Sequence, residues 1–328
     1  MTDLGQFLKD TLVWDNHGCM PLRPGDTAFL PQLSRYRAAN VDVVLLNVGF
    51  DAKPMETDIR VLAMFRRWIR DHAEDYRLIG SVADIDRAQA EGKLAIGFNL
   101  EGFNALGGDV NMVSLYHDLG VRWMLVAYNL NNQGGGGCQD DDEGLTDFGR
   151  EVLDEMVRVG IVPCCSHTGY RTAIEVMEHV SGPVILSHSN PRALHDHPRN
   201  VPDEVMKACA ATGGVMGING VGIFMGRNRV DADLIADHID YAVDLIGIDH
   251  VGLGIDTCFD PSEVDDLMRE RPEIWPDSVG YEDGLQIAGP EEIPNIAAKL
   301  LQRGYGEAEL AKVLGGNFRR VAAEAWKS

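Results

Sequence analysis

Eight short apolar runs, rich in β-branched residues, recur along this chain and set the strongest limit on its fold. They lie at about 12–17, 41–50, 93–101, 121–128, 161–167, 183–188, 213–219 and 250–256. The segments between them mostly carry apolar residues at helical spacing, for example at 57–75, 145–159, 202–211, 231–246 and 307–325. Alternation of apolar strands with helices indicates a parallel sheet covered by helices. Eight such units predict an α/β fold, a closed (β/α)8 barrel of the TIM type.

The length and composition of the chain fit one such barrel. Its 328 residues are 45% hydrophobic, which is enough to form a large core. We therefore expect a single barrel domain over 1–328. The segment from Asp260 to Gly284 is rich in Pro, Asp and Glu and follows the eighth strand. We expect this insertion, at about 257–285, to form a lid or a subunit contact.

Charge and hydropathy argue against several kinds of partner. The chain carries 51 acidic and 29 basic side chains, a formal net charge of −22, which would repel a phosphate backbone. No apolar stretch approaches the roughly 18 to 20 residues that span a bilayer, and the first thirty residues lack the pattern of a signal peptide. The sequence thus predicts no nucleic acid partner, no membrane segment and a cytoplasmic location. The six cysteines form no C-x-x-C pair, so we expect reduced thiols.

Polar residues close several of the predicted strands. His17 ends the first, Glu101 the third, His167 the fifth, His188 the sixth and Asp256 the eighth. A single histidine at a strand end is more often an ordinary hydrogen-bonded residue, but the carboxyl ends of barrel strands all meet at one mouth. These five side chains are therefore expected to face one cavity. Imidazoles and carboxylates gathered in this way are typical of a hydrolytic metal site at the C-terminal mouth.

Several segments resemble those of one known family. They are NLEG at 99–102, GLTDFGREVLDEM at 144–156, SHTG at 166–169, PVILSHSN at 183–190, RNVPDEV at 199–205 and AELAKVLGGNFRRV at 308–321. On these segments the chain resembles the membrane dipeptidase (renal dipeptidase) family of metallopeptidases, within the amidohydrolase superfamily. The resemblance runs over nearly the whole length of the chain.

The resemblance implies a binuclear zinc hydrolase that cleaves small dipeptides, in which a metal-bound hydroxide attacks the peptide carbonyl. By resemblance, Glu101 bridges two zinc ions, His167 and His188 bind the second, and His17 binds the first. Asp256 takes the proton from the hydroxide and passes it to the leaving amine. The family also implies a homo-oligomer, a dimer, and a pocket open enough for a D-residue on the carboxyl side of the substrate.

Arg199 lies in the RNVPDE segment, and the resemblance implies that it binds the substrate. Its planar guanidinium would pair with the free α-carboxylate of a dipeptide. The alternative is an ordinary surface salt bridge.

Cys19 is one of two departures from the family pattern. The family carries His-x-Asp where this chain reads His17-Gly18-Cys19. Residues two apart on a strand point to the same side, and a thiolate binds zinc at about 2.3 Å, so Cys19 is a candidate ligand that would lower the Lewis acidity of its metal. Alternatively, Cys19 is a buried filler and the chain holds one zinc rather than two. A contact between Cys19 and Cys258 is a further open question. The two residues could be a pair of metal ligands or a disulfide, but simple packing is the favoured interpretation.

Tyr128 is the second departure, because the family carries a histidine at this position. Its hydroxyl can donate a hydrogen bond to a developing oxyanion, so we expect Tyr128 to contact the substrate. The alternative is a tyrosine that caps the barrel with its hydroxyl in solvent.

Three hypotheses follow for the function. The leading one is a zinc-dependent dipeptidase. The second is a related metal-dependent amidohydrolase that acts on another small amide or an N-acyl amino acid, as the changes at Cys19 and Tyr128 allow. The third is a catalytically silent relative, and retention of the strand-end histidines and carboxylates argues against it.

Overall fold

The computed structural model describes residues 3–327, and within them ten strands lie at the centre of the fold. The strands are β1 (Trp14–Cys19), β2 (Val43–Phe50), β3 (Tyr76–Leu78), β4 (Leu94–Glu101), β5 (Val121–Leu125), β6 (Val162–Cys164), β7 (Leu186–Ser189), β8 (Met216–Ile218), β9 (Val251–Leu253) and β10 (Thr257–Cys258). Neighbours pair in the order β6-β5-β4-β2-β1-β9-β8-β7, with the named pairs all parallel.

A parallel bridge closes this sheet into a ring. Ile185, just before β7, donates its N–H to the carbonyl of Pro163 at 3.0 Å, and Cys165 donates to the carbonyl of Ile185 at 2.9 Å. Eight strands thus form a closed barrel, as the eight apolar runs predict. The strands β3 and β10 pair on the outside of this order with β4 and β1. They were not predicted, because neither lies within one of the eight apolar runs that mark the other strands.

Helices surround the barrel in the expected alternation. Within the described residues they are α1 (Leu4–Asp10), α2 (Ser34–Ala38), α3 (Met55–Asp71), α4 (Val82–Ala90), α5 (Met112–Asp118), α6 (Asp147–Val159), α7 (Tyr170–His179), α8 (Asp203–Ala211), α9 (Ala232–Ile246), α10 (Pro261–Glu270), α11 (Glu292–Gln302), α12 (Glu307–Ala311) and α13 (Asn317–Ala325). No helix within residues 3–327 has the length and hydrophobicity needed to cross a bilayer.

The predicted helix at 307–325 is interrupted. A π-helical turn, Lys312–Gly316, separates α12 from α13. At Gly315, a Cβ atom would lie 2.6 Å from the carbonyl oxygen of Leu12, so a larger residue could not pack against the start of β1 here. Beyond the interruption, α13 packs against the lower barrel, where the ring of Phe318 stacks on that of Trp14 with centroids 6.1 Å apart.

The barrel interior below the mouth is filled with side chains. All eight residues of β2 and all eight of β4 are buried, as expected for parallel strands covered on both faces. A cluster that includes Trp14, Leu45 and Trp123 packs inside the lower barrel. Space for a ligand is therefore left at the mouth, where the strands end.

The segment after β10 lies across this mouth. Val221 pairs with Ile287 in an antiparallel bridge, and Leu22 donates its N–H to Glu263 Oε2 at 3.1 Å. Ile274 and Trp275 are buried. We name residues 259–287 the covering segment. Its action as a lid stays a prediction.

Candidate metal centre and active site

Four strand ends bring three histidines around one carboxylate oxygen. His17 lies on β1, Glu101 ends β4, His188 lies on β7, and His167 follows β6. The Nε2 atoms of His188, His17 and His167 lie 3.3, 3.6 and 3.8 Å from Glu101 Oε1. All four side chains are buried. The mouth of the barrel therefore holds a compact cluster of potential metal donors.

The three imidazoles are held in the neutral form. Burial lowers the pKa of His17 to about 3 and the pKa of His167 and His188 well below its usual value, and the positive charge of Arg199 lowers all three further. The rings of His17 and His188 are stacked, with centroids 3.9 Å apart and an interplanar angle of 8°. Neutral imidazole is the form that binds metal ions.

One orphaned oxygen shows that this donor set fits a cation. Glu101 Oε2 accepts a hydrogen bond from Asn47 Nδ2 at 2.7 Å, but Oε1 is buried and has no hydrogen-bond partner among the described residues. An unsatisfied buried polar atom is costly. Donor atoms of His17, Glu101 and His188 all lie within 4.8 Å of one another. Imidazole nitrogen and carboxylate oxygen suit zinc and similar divalent ions.

A second group of donors shares His17. Donor atoms of His17, Cys19 and Asp256 also lie within 4.8 Å of one another. Cys19 Sγ is 3.3 Å from His17 Nε2 and 3.8 Å from Asp256 Oδ1. Burial raises the pKa of the Cys19 thiol, and the nearby carboxylates raise it further. The thiol thus lies within reach of a metal held by His17.

Cys19 and Cys258 are direct neighbours. They are paired in register between β1 and β10, and both are free thiols that line the same cavity. The two side chains are therefore adjacent without a disulfide.

The Nδ1 atoms of His167 and His188, which point away from Glu101, have hydrogen-bond partners. The Nδ1 atom of His17 has none among the described residues. His167 Nδ1 lies 2.7 Å from Asn129 Oδ1, and His188 Nδ1 lies 2.7 Å from Ser187 Oγ. His17 Nδ1 is buried without a hydrogen-bond partner. A hydrogen bond at one ring nitrogen fixes the tautomer and leaves the other nitrogen free to bind a metal. His167 and His188 are thus oriented for binding.

Asn129 contacts the donor cluster through His167 and is not among the residues predicted from the sequence. It is fully buried and has a left-handed backbone with φ of 59°, a conformation that asparagine tolerates better than most residues. Its Nδ2 donates to the carbonyl oxygen of Ile274 at 3.2 Å, so one side chain connects His167 to the covering segment. Its position, immediately after Tyr128 at a strand exit, was the signal that could have found it.

Asp256 follows β9 at the same mouth. Its φ is 62°, again in the left-handed region. Oδ2 accepts a hydrogen bond from Asn219 Nδ2 at 2.9 Å, and Oδ1 is 3.4 Å from His17 Nε2. Burial raises the pKa of Asp256 to about 6, although Arg199 and Asn219 oppose the shift. A carboxyl group with a pKa near neutrality is suited to proton transfer.

Tyr128 lies beside the donors. Its ring stacks on His167, with centroids 4.0 Å apart. It also contacts Phe50 at 5.1 Å and Trp275 at 6.1 Å between ring centroids. The ring therefore forms part of the cavity wall.

Arg199 lies beside the end of β7, outside the cavity that Tyr128 lines. It is 2% exposed, and its guanidinium donates to the His188 carbonyl at 2.6 Å and to Ser189 Oγ at 3.2 Å. Its Nε has no hydrogen-bond partner among residues 3–327, and the guanidinium carbon lies 5.7 Å from the centre of the Phe224 ring. The alternative of a surface salt bridge is therefore wrong. Arg199 borders a neighbouring cavity of about 210 Å³ that also reaches His167.

The cavity above the donors is small and mostly apolar. It has a volume of about 120 Å³. Seven of the eight predicted site residues line it, and the eighth, Arg199, does not; the seven are His17, Cys19, Glu101, Tyr128, His167, His188 and Asp256.

Known proteins are similar to this chain in sequence and in architecture. Dipeptidase aclJ of Aspergillus oryzae is 30% identical over 263 residues, which cover 77% of this chain and 58% of that protein. The chain spans about three fifths of the length of the fungal dipeptidases it matches. An amidohydrolase from Pseudomonas aeruginosa superposes with a TM-score of 0.90 at 26% identity, covering 99% of both chains.

A more distant structure shares the fold. It is a metallopeptidase from Rhodobacter sphaeroides liganded with a phosphinate mimic of the dipeptide L-Ala-D-Ala. It superposes with a TM-score of 0.79 at 20% identity, covering 97% of this chain and 100% of the other. The model of the membrane dipeptidase family, peptidase family M19, matches residues 31–270, which include most of the donor cluster described above. The resemblance read from the sequence is thus confirmed, and the chain belongs to the membrane dipeptidase family.

Proposed function

We propose that this protein is a zinc-dependent dipeptidase that hydrolyses the peptide bond of small dipeptides. The observation that carries the proposal is the orphaned Oε1 of Glu101, which lies within 3.8 Å of three imidazole Nε2 atoms. Glu101, His167 and His188 would hold one zinc ion, and His17 and Cys19 would hold a second with Glu101 between them. A bound zinc ion lowers the pKa of water and polarises a carbonyl oxygen.

Asp256 would move the proton in this reaction. Its carboxylate would accept a proton from the attacking water at Oδ1 and return it to the nitrogen of the leaving amine as the C–N bond breaks. Its pKa of about 6 keeps the group ionised at neutral pH, yet basic enough to accept a proton. Asn219 would hold the carboxylate in place through its bond to Oδ2.

Arg199 would attract the free carboxylate of the substrate. Its guanidinium donates to the carbonyl oxygen of His188 at 2.6 Å, so its positive charge lies close to the donor cluster. Arg199 does not line the cavity, so this role rests on the family resemblance and on its unpaired Nε. Tyr128 would donate a hydrogen bond from its hydroxyl to the carbonyl oxygen of the substrate as negative charge develops there.

The carboxyl-side residue could be of D configuration. The Rhodobacter sphaeroides metallopeptidase of the same fold binds a mimic of L-Ala-D-Ala, and this supports a test of D-residues here. Comparison of Ala-L-Ala with Ala-D-Ala under the same conditions would measure the preference.

Metal content and dipeptide hydrolysis test the proposal together. We expect one or two zinc ions per chain by elemental analysis, loss of activity with a chelator and recovery with zinc. Amidation of the substrate C-terminus should reduce kcat/KM, because Arg199 then loses its carboxylate partner. If amidated and free dipeptides turned over equally well, the role of Arg199 would be wrong. If no dipeptide turned over in a zinc-loaded preparation, the dipeptidase proposal would fail.

A second candidate is an amidohydrolase that acts on N-acyl amino acids. Cys19 and Tyr128, the two cavity residues that depart from the family pattern, are the observation behind it. Hydrolysis of N-acyl amino acids without hydrolysis of any dipeptide would distinguish this candidate. The dimer and the cytoplasmic location stay predictions that sedimentation and fractionation can check.

A further inference from the structure

Three aromatic rings form one wall of the cavity. The ring centroids of Phe50 and Tyr128 lie 5.1 Å apart, those of Phe50 and Trp275 6.0 Å, and those of Tyr128 and Trp275 6.1 Å. Phe50 and Trp275 are 5% and 6% exposed. These distances are typical of packed aromatic pairs. We name Phe50, Tyr128 and Trp275 the aromatic wall.

The rest of the lining around the wall is also apolar. The covering segment supplies Val264, Leu267 and Leu285 from above. Met20 and Leu22, which follow β1, add to the apolar lining. A substrate side chain that enters this space would lose contact with water and pack against apolar groups over most of its surface, which favours an apolar side chain.

Charged lining residues would disfavour an anionic side chain. Those among the described residues are the carboxylates Glu101, Asp256 and Glu263, and no lysine or arginine accompanies them. Glu263 already accepts a hydrogen bond from the Leu22 N–H. A carboxylate without a cationic partner is costly to bury.

The topology of the barrel places Phe50, one member of the aromatic wall, across the mouth from Arg199. Arg199 comes from the loop after β7, and the strand across the eight-membered ring from β7 is β2, which ends at Phe50. With the carboxylate of a dipeptide directed to Arg199, its other residue extends toward Phe50.

These observations lead to a substrate class. We propose that the residue on the amino side of the scissile bond carries an aliphatic or aromatic side chain, which packs against the aromatic wall. The inference rests on the proposed function and names the substrates within it.

A series of X-Ala dipeptides tests the inference on the zinc-loaded protein. We expect kcat/KM for Leu-Ala and Phe-Ala to exceed that for Gly-Ala by at least about tenfold, since one methylene in an apolar pocket is worth roughly 10- to 200-fold. Asn-Ala and Asp-Ala match the leucine side chain in approximate shape but not in polarity, and both should fall below Leu-Ala, with Asp-Ala the lowest.

Variants of the wall sharpen the test. Trp275→Ala should reduce the ratio of kcat/KM between Leu-Ala and Gly-Ala toward one, and Phe50→Leu provides a milder change should the first variant fold poorly. Leu115→Ala is the control, because Leu115 is 43% exposed on α5, outside the cavity. It should leave the ratio as it is.

The outcomes separate the inference from the proposed function. Dipeptide hydrolysis with no rise from Gly-Ala to Leu-Ala, or with Asp-Ala as the best substrate, overturns the inference alone. The same series of N-acyl alanines, from acetyl to isovaleryl, extends the test to the second candidate. Absence of turnover in both series overturns the proposed function and the inference with it.

Discussion

The two halves of the donor cluster differ in how firmly the protein holds them. On one side, His167 and His188 each have a hydrogen-bond partner at Nδ1. On the other side, His17 has no partner at Nδ1 among the described residues, and its neighbour Cys19 carries a thiol whose pKa burial raises. Orientation of metal ligands by such partners contributes to affinity. The first side should therefore bind metal more tightly than the second.

The difference also reaches beyond the donors. Asn129 connects His167 to the covering segment, and Ser187 joins His188 to a buried hydroxyl network through Ser166, 3.4 Å away. Opposite them, Cys19 has Cys258 beside it in the sheet. One side is thus fixed by neutral hydrogen bonds, whereas the other is a group of titratable side chains.

Removal of His188 should have the largest effect. His188→Ala deletes a donor from the firmly held side, so we expect metal affinity and kcat/KM to fall by more than the roughly 10- to 100-fold that loss of a supporting residue costs. Cys19→Ala should lower both by less. Chelator competition measures the affinity, and thermal unfolding checks that each variant folds. Equal losses in the two variants would remove the asymmetry.

Changes at Asn129 should have the next largest effect. Asn129→Leu removes the acceptor for His167 Nδ1–H and the donor to Ile274, and we expect zinc affinity to fall by about 10- to 100-fold. Asn129→Asp keeps an acceptor and tolerates the left-handed backbone, so it should restore most of the affinity. It still loses the donor to Ile274. If both variants bound zinc equally weakly, orientation of His167 would not be the role of Asn129.

Cys19→Asp should strengthen the weaker side. A carboxylate donates less electron density to zinc than a thiolate does, so the zinc ion stays a stronger Lewis acid. We therefore expect kcat to rise by up to about tenfold, which corresponds to an activation barrier lower by 1.4 kcal/mol. Cobalt substitution provides an independent readout, because a thiolate ligand gives a sulfur-to-metal charge-transfer band. The band should be present in the natural chain and in Cys258→Ser, and absent in Cys19→Asp. A cobalt site with no such band in the natural chain would show that Cys19 is not a ligand.

The sequence predicted the barrel and most of the residues that the structure gathers at its mouth. The prediction of the barrel and the prediction of the site residues depend on the same signal. An apolar run that ends on a polar residue marks a buried strand and the point where that strand reaches the mouth of the barrel. Glu101 and His188 were found by this rule alone. The residues around them were not, because a hydrogen bond such as that of Asn129 to His167 joins positions 38 apart in the chain and has no periodicity.

The covering segment was predicted only in outline. Its composition indicates an insertion, but the contacts that place Trp275 against Phe50 depend on long-range packing. The burial of Arg199 is a similar case. A charged residue in a loop is usually exposed, and only its bonds to the His188 carbonyl and Ser189 show why this one is not.

A shift in the pH profile should be the smallest effect. Asp256 must be ionised to accept a proton, and its pKa is about 6, so kcat/KM should fall as the pH drops through that value. The hydrogen bond from Asn219 favours the ionised form and therefore holds the pKa down. Asn219→Ala should raise the pKa and move the acidic limb to higher pH by up to about one unit, which corresponds to 1.36 kcal/mol.

A second variant, Asn219→Asp, tests the same pH dependence on the side of the donor cluster that holds His17 and Cys19. It keeps the acceptor for the Val221 N–H, which lies 2.6 Å from Asn219 Oδ1, but sets a second negative charge beside Asp256. Like charges disfavour ionisation, so the limb should move further than in Asn219→Ala. Asp256→Asn should abolish the limb together with most of the activity. A limb that stayed in place in both Asn219 variants would assign it to another group and remove Asp256 as the base.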